Sequence, residues 1–189
     1  MADVVESADI PGVWLIRPEV HTDERGRFLE TYRSSWLPFA APMVQGNRSD
    51  SAPKVLRGLH YHRRQADLWF VQQGKVTTVL VDTRIGSPTE GKHTTLQQGG
   101  GEELAVYIPE GVAHGFYAHD QVVMSRPTIG SQLRQRGGGG GAWFGGRSGG
   151  GPDLALLLGW RCIAGSSTQA GSYQPTVAPS ARKGNPQPL

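Results

Sequence analysis

The sequence predicts an all-β domain, a double-sheeted sandwich or barrel with a polar site between its sheets, followed by an irregular tail. Three observations predict it. From Lys54 to Met124 nearly every segment is a short run of alternating or β-branched apolar residues ended by glycine, proline or aspartate. Two strand-turn units, VLRGLHYHRRQADLWFVQQG at 55–74 and YIPEGVAHGFYA at 107–118, carry histidines where inward-facing side chains are expected. No segment before residue 125 has a long helical period.

Taken in order, IPGVWLIRPEV at 10–20 predicts a strand after a Pro-Gly turn, with Val13, Leu15 and Val20 facing one way. HTDERGRFLETY places Gly26 among charges and then alternates through Phe28, Glu30 and Tyr32, a turn followed by a strand, with Arg25 at the turn. A short helix or turn is expected over 34–39. VQGNRSD then predicts a short strand with Gln45 and Asn47 on one face. Further strands are expected over VLRGLHYH, DLWFVQQG, KVTTVLVDTR, HTTLQQ, ELAVYIPEG and AHGFYAHDQVVM, and DTRIGSPTEGK at 82–92 predicts a loop with Pro88 and two glycines.

After Met124 the pattern changes. Of the 27 glycines, 15 lie from residue 130 onward, including a run of five. Such a composition buries too little apolar surface to offset the entropy of ordering. The expected division is therefore a folded domain over 1–125 and an irregular Gly/Arg-rich tail over 126–189, with PDLALLLGW at 152–160 docked on the domain and the last thirty residues disordered. Charge divides at the same place. Residues 1–125 hold 12 Lys and Arg against 15 Asp and Glu, whereas 126–189 hold 7 against 1. A basic tail suits nucleic acid, yet it has no recognisable module, which argues against that partner.

The remaining bulk properties are those of a soluble globular chain. Its 189 residues suffice for one domain with a core. No run approaches the roughly 18 apolar residues a membrane helix needs, and the start lacks the basic-then-apolar order of a signal peptide, so no membrane partner and a cytoplasmic address are expected. The single Cys162 allows neither an intramolecular disulfide nor a thiolate cluster.

Two kinds of chemistry are open from the residues alone. His60 and His62 are two apart on an expected strand, so they share a face. With Asp67 and His114 they could hold divalent iron, manganese or nickel. Alternatively, a neutral His60 could remove a proton beside a ketone while Arg57 stabilises the enolate, and Arg25 with Arg57 would suit a diphosphate. The plainer alternatives are core hydrogen bonds for His62 or His114, a surface ion pair of Asp67 with Arg63 or Arg64, solvated arginines, and ordinary strand polarity for Glu30 and Gln45.

DERGRFLE at 23–30, QGN at 45–47, VLRGLHY at 55–61, DTRIGSPTEGK at 82–92 and IPEGVAHGF at 108–116 together resemble the dTDP-4-dehydrorhamnose 3,5-epimerase family. The resemblance implies a cupin-like double-stranded β-helix (jelly roll), a homodimer, no metal or other cofactor, and a dTDP-sugar substrate epimerised at C3 and C5 beside a C4 ketone. It also implies His60 as the catalytic base. Arg57 and Arg25 would lie near the sugar and diphosphate, Phe28 and Glu30 at the nucleotide, and Gln45, Asn47 and His114 along the pocket. The order Gly58, His60, His62, Asp67, Gly74 and then Pro109, Gly111, His114 resembles the metal motifs of cupins as well, with Asp in the usual Glu place.

Three departures from the epimerase pattern stand out. Asp67 falls where the family has the lysine that supports the enolate. No tyrosine occurs from 118 to 172, where the proton donor is expected, and nothing after 160 resembles the motif whose aspartate orients the base. The family-like PDLAL at 152–156, isolated among Gly and Arg, suggests that the tail is partly read in a shifted coding register. Three classes therefore stay open: a dTDP-sugar epimerase acting at C3, C5 or both, a metal-dependent cupin enzyme, and a catalytically silent dTDP-sugar binder.

Overall fold

The computed structural model describes residues 1–130 and 145–147, and the expectations for 152–160 and for the tail apart from 126–130 and 145–147 lie outside them. Two sheets form a jelly-roll sandwich. One has six strands in the order β1 (Asp3–Glu6), β2 (Trp14–Arg17), β10 (Ala105–Ile108), β7 (Gln65–Gln73), β12 (Val122–Gly130) and β5 (Gln45–Ser51). The other runs β13 (Gly145–Arg147), β6 (Val55–His60), β11 (Val112–Ala118), β8 (Lys75–Asp82) and β9 (His93–Gly99). A separate hairpin joins β3 (Val20–Asp23) to β4 (Gly26–Leu29), and the only helical element among the described residues is a 3-10 turn at Ser34–Trp36.

The core lies between the sheets. Trp69 and Val71 of β7, Val106 and Ile108 of β10 and Met124 of β12 meet Val76 and Leu80 of β8 and Phe116 of β11. A second cluster covers the outer face of the six-stranded sheet, where Trp36 and Leu37 pack on Ile16, Leu68, Phe70 and Tyr107. β7 thus has both faces buried, which is why it reads as a nearly continuous apolar run. The loop after β8 is tied down by Asp82, which accepts hydrogen bonds from Arg84, Ser87 and Thr89.

Four boundaries differ from the sequence pattern. Strand β4 stops at Leu29, so Glu30 and Tyr32 do not continue the face of Phe28, and Glu30 instead pairs with Arg33 three residues on. Val20 begins an exposed hairpin rather than sharing the buried side of Val13 and Leu15. His62 lies beyond the end of β6. Strand β12 continues through Arg126 and Pro127 to Gly130. A proline is tolerated there because the pairing of β12 with β5 persists on its other side, Arg126 opposite Asn47 and Thr128 opposite Gln45.

Candidate active site

β6 and β11 approach at a distance only glycine permits. A Cβ on Gly58, whose φ is +109°, would lie 2.5 Å from Gly115 Cα, and one on Gly115 would lie 2.5 Å from the Arg57 carbonyl oxygen. The register shifts between His114 and Phe116, so that His60 pairs with His114 and Arg57 with Phe116. His114 and Phe116 are two apart on β11 and share the inner face, as the core position of Phe116 requires. This irregularity turns His60 and Arg57 together toward the opposite sheet. Arg57 spans the gap, donating from Nε to Ser51 Oγ at 2.8 Å and from Nη2 to the Asp50 carbonyl at 3.0 Å.

The opposite wall is Asp67 and Trp69 of β7 and Arg126 of β12, each at an inward position of its strand. Asp67 is fully buried rather than paired with Arg63 or Arg64 at the surface. Its Oδ1 accepts from Gln65 Nε2 at 2.7 Å and its Oδ2 from Trp69 Nε1 at 3.3 Å. His114 Nε2, His62 Nε2 and Arg126 Nη2 stand 3.4, 3.5 and 3.5 Å from Oδ2. Arg126 also lies over the Trp69 ring, 4.9 Å from its centroid, and its Nη2 is 3.5 Å from His60 Nε2. The His60 and His114 rings meet edge to face at 4.4 Å.

These surroundings fix the charges. Burial, then the positive fields of His114, Arg126 and His62, lower His60 from its ordinary value to about 3, so its imidazole is neutral at physiological pH. Burial works against the Asp67 carboxylate, but His114, His62 and Gln65 outweigh it and hold its pKa well below the usual range. Burial also lowers Arg126 and His114. Between the sheets, then, a neutral imidazole sits beside a guanidinium whose charge is balanced by a buried carboxylate. Such a pair can take a proton from carbon and stabilise the oxyanion that forms. His60, His62, Asp67 and His114 also offer one ligand atom each, all within 4.8 Å of one another, so the same residues could hold a metal.

The other residues singled out from sequence fall in two places. Gln45 and Asn47 are hydrogen-bonded to each other at 2.7 Å on β5, and Asn47 is the register partner of Arg126, which puts both on the inner face beside the pocket. Phe28 and Glu30 line a groove of about 720 Å³ with Trp14, His21 and Phe39, and Arg25 lines a smaller one around the β3–β4 turn. Neither lining includes His60, Arg57 or His114. Arg25 pairs with Asp23 at the turn, where it is mostly exposed. Sequence reasoning grouped Arg126 with the tail and missed it. The signal was available: Val122 and Met124 are inward, so an uninterrupted strand turns residue 126 inward too, and a buried Asp67 requires a cation.

A sequence profile of the dTDP-4-dehydrorhamnose 3,5-epimerase family matches residues 7–126. A dTDP-4-dehydrorhamnose 3,5-epimerase of Neisseria gonorrhoeae is 43% identical over 119 residues, 60% of this chain and 36% of that protein. The chain spans between about a third and three-fifths of the length of the first curated relatives it matches. Among solved structures, a 3,5-epimerase from Legionella pneumophila in complex with dTDP-4-keto-L-rhamnose is similar at TM-score 0.66 and 31% identity, covering 70% of this chain and 74% of that one. A 3'-monoepimerase from Streptomyces bikiniensis in complex with dTDP-quinovose is similar at TM-score 0.63 and 29% identity, covering 68% of this chain and 69% of that one.

Proposed function

Because the chain belongs to the dTDP-4-dehydrorhamnose 3,5-epimerase family, we propose that it epimerises a dTDP-linked 4-keto-6-deoxyhexose at C3, C5 or both. The observation that carries this reading is the buried, neutral His60 with a guanidinium nitrogen 3.5 Å from its Nε2. His60 takes a proton from the carbon beside the C4 ketone, and the electron pair moves onto the ketone oxygen. Arg126 supplies the positive charge that the enolate needs, in the pocket where Asp67 has replaced the family lysine. A proton from solvent, delivered to the opposite face of the sugar, then inverts the carbon as the ketone re-forms, and His60 returns its proton to solvent.

Arg57 and His114 border the sugar in this reading, with Gln45 and Asn47 along the pocket wall. Arg25, Phe28 and Glu30 serve the nucleotide and diphosphate. Their grooves do not include His60, which suits a homodimer in which the hairpin of one subunit completes the site of its partner. The edge strand β1, with Val5 exposed, and the exposed Phe28 and Phe39 beside the larger groove support that assembly. Light scattering tests it, a monomer mass being the contrary result. Of residues 126–189, only Arg126 is assigned a catalytic role. A cytoplasmic address fits a nucleotide-sugar substrate, and no helix among the described residues is long and apolar enough to cross a membrane.

His60→Ala tests the reading. Incubated with dTDP-4-keto-6-deoxyglucose in deuterated water, the variant is expected to lose at least about a hundredfold in exchange relative to the parent chain. Equal exchange in the two would contradict it.

A further inference from the structure

Two guanidiniums enter the space between the sheets, and they are held by opposite means. Arg126 lies beside a carboxylate, its Nη2 3.5 Å from Asp67 Oδ2, so its charge is balanced inside the protein. Arg57 is held by neutral groups. Its Nε donates to Ser51 Oγ at 2.8 Å and its Nη2 to the Asp50 carbonyl at 3.0 Å. Among the described residues no carboxylate forms an ion pair with Arg57, and the Asp50 carboxylate pairs instead with Arg48 at 2.8 Å.

The pleat of β5 produces this difference. Gly46, Arg48 and Asp50 are exposed, whereas Gln45, Asn47, Ser49 and Ser51 alternate with them and are partly or fully buried. Every inward side chain of the strand is therefore a neutral hydrogen-bonding group, and both of its charged side chains face out. Ser51 is the most deeply placed, 2% exposed and opposite the buried Val122 of β12, which offers its hydroxyl no polar side chain. β5 is also the outermost strand of its sheet, which leaves alternate backbone carbonyls without a strand partner, and Arg57 takes the one at Asp50.

We propose that Ser51 is a positioning residue for Arg57, holding its guanidinium by a neutral oxygen so that the whole charge stays available to the diphosphate of the substrate. The Nε and Nη2 edge of the guanidinium is occupied by β5. The other edge, Nη1 with the second Nη2 hydrogen, is left to fork a phosphate oxygen pair. An aspartate at position 51 would hold the side chain as firmly but cancel its charge. An alanine would keep the charge but free a long, rotamer-rich side chain, whose ordering would then oppose binding. Serine fixes the group and leaves it cationic. The identity of the anion rests on the epimerase reading, whereas the hold of Ser51 on Arg57 does not.

The test uses the full chain and two readouts: solvent exchange of the Arg57 Nε–H by nitrogen-15 NMR, that resonance being identified by its loss in Arg57→Gln, and dTDP affinity by calorimetry. Ser51→Ala removes a single oxygen. It should quicken Nε–H exchange by at least about tenfold and weaken dTDP binding about fivefold. Ser51→Asp should keep the slow exchange and yet lose at least about tenfold in affinity, because its carboxylate neutralises the guanidinium. In the Arg57→Gln background, Ser51→Ala should change affinity by less than about twofold. Affinity unchanged by Ser51→Ala, or a loss that persists in full without Arg57, in variants that keep the parent circular dichroism, would overturn the positioning role. A parent chain that binds no dTDP would overturn the diphosphate as the anion, and the exchange rates would then decide by themselves whether Ser51 holds Arg57.

Discussion

Replacing Arg126 by methionine removes the cation from the pocket while keeping a side chain of similar reach over Trp69. Its Nη2 is 3.5 Å from the Asp67 carboxylate, and the side chain is 18% exposed. At that separation and an effective dielectric of about 20, the attraction amounts to about 5 kcal/mol. Contact with the Trp69 face adds about 1 kcal/mol. The variant no longer bears the cost of desolvating a guanidinium, which returns part of this, so a net loss of about 3 kcal/mol is expected. Much of it is the penalty of leaving Asp67 buried without its countercharge. Urea unfolding of the parent, Arg126→Met, Asp67→Asn and the double variant, all with chelator present, measures it. The double variant should be more stable than the sum of the two single losses predicts, by about 2 kcal/mol. Additive losses, or a loss below about 1 kcal/mol for Arg126→Met, would refute the buried pair and with it the placement of Arg126 beside the base.

Other consequences concern the loop, the strand crossing and the ligand. Asp82 is held below the usual carboxylate range in the folded state, with Arg84, Ser87 and Thr89 outweighing the effect of its burial. Its contribution is therefore present at neutral pH and is lost as pH falls below about 4. Thr89→Val should flatten the acid limb of a urea-midpoint profile, and an unchanged limb would contradict this. Gly58→Ala places a methyl 2.5 Å from Gly115 Cα, backbone that cannot yield, and should cost about 3 kcal/mol or prevent soluble expression. Thermal unfolding at the parent temperature would count against the close approach. Arg57→Gln and Arg25→Gln should each weaken dTDP binding about tenfold in calorimetry by removing a charge-assisted contact. Unchanged affinity in both would move the diphosphate elsewhere.

Much of this fold was legible because its strands announce themselves one at a time. The run from Val55 to Met124 carries period-two alternation between turn residues, and the six expected strands there cover the seven strands β6 through β12, the run AHGFYAHDQVVM dividing between β11 and β12. What sequence could not supply was how backbones pass one another. His60 and His62 look like neighbours on one strand face, but β6 ends at His60, and His62 reaches the same pocket from the connection to β7. The inward turn of Arg57 together with His60 depends on the Gly58–Gly115 crossing and its shifted register, which no local pattern encodes. Arg126 was hidden by its neighbours: Pro127 and the glycines beyond it resemble a linker, and only pairing with β5 and β7 keeps the chain extended there. Asp67 was legible as a departure from the family lysine. Its burial, and the three imidazoles that face it, come from packing two sheets about 10 Å apart.

The most direct measurement is proton NMR of dTDP-4-keto-6-deoxyglucose incubated in deuterated water with the chelator-treated full chain. Loss of the C3 signal, the C5 signal or both, at a rate proportional to enzyme, is the predicted result, and it identifies which carbons His60 reaches. Retention of both signals, with dTDP bound and the protein folded, would contradict the claim that this pocket removes protons beside the ketone.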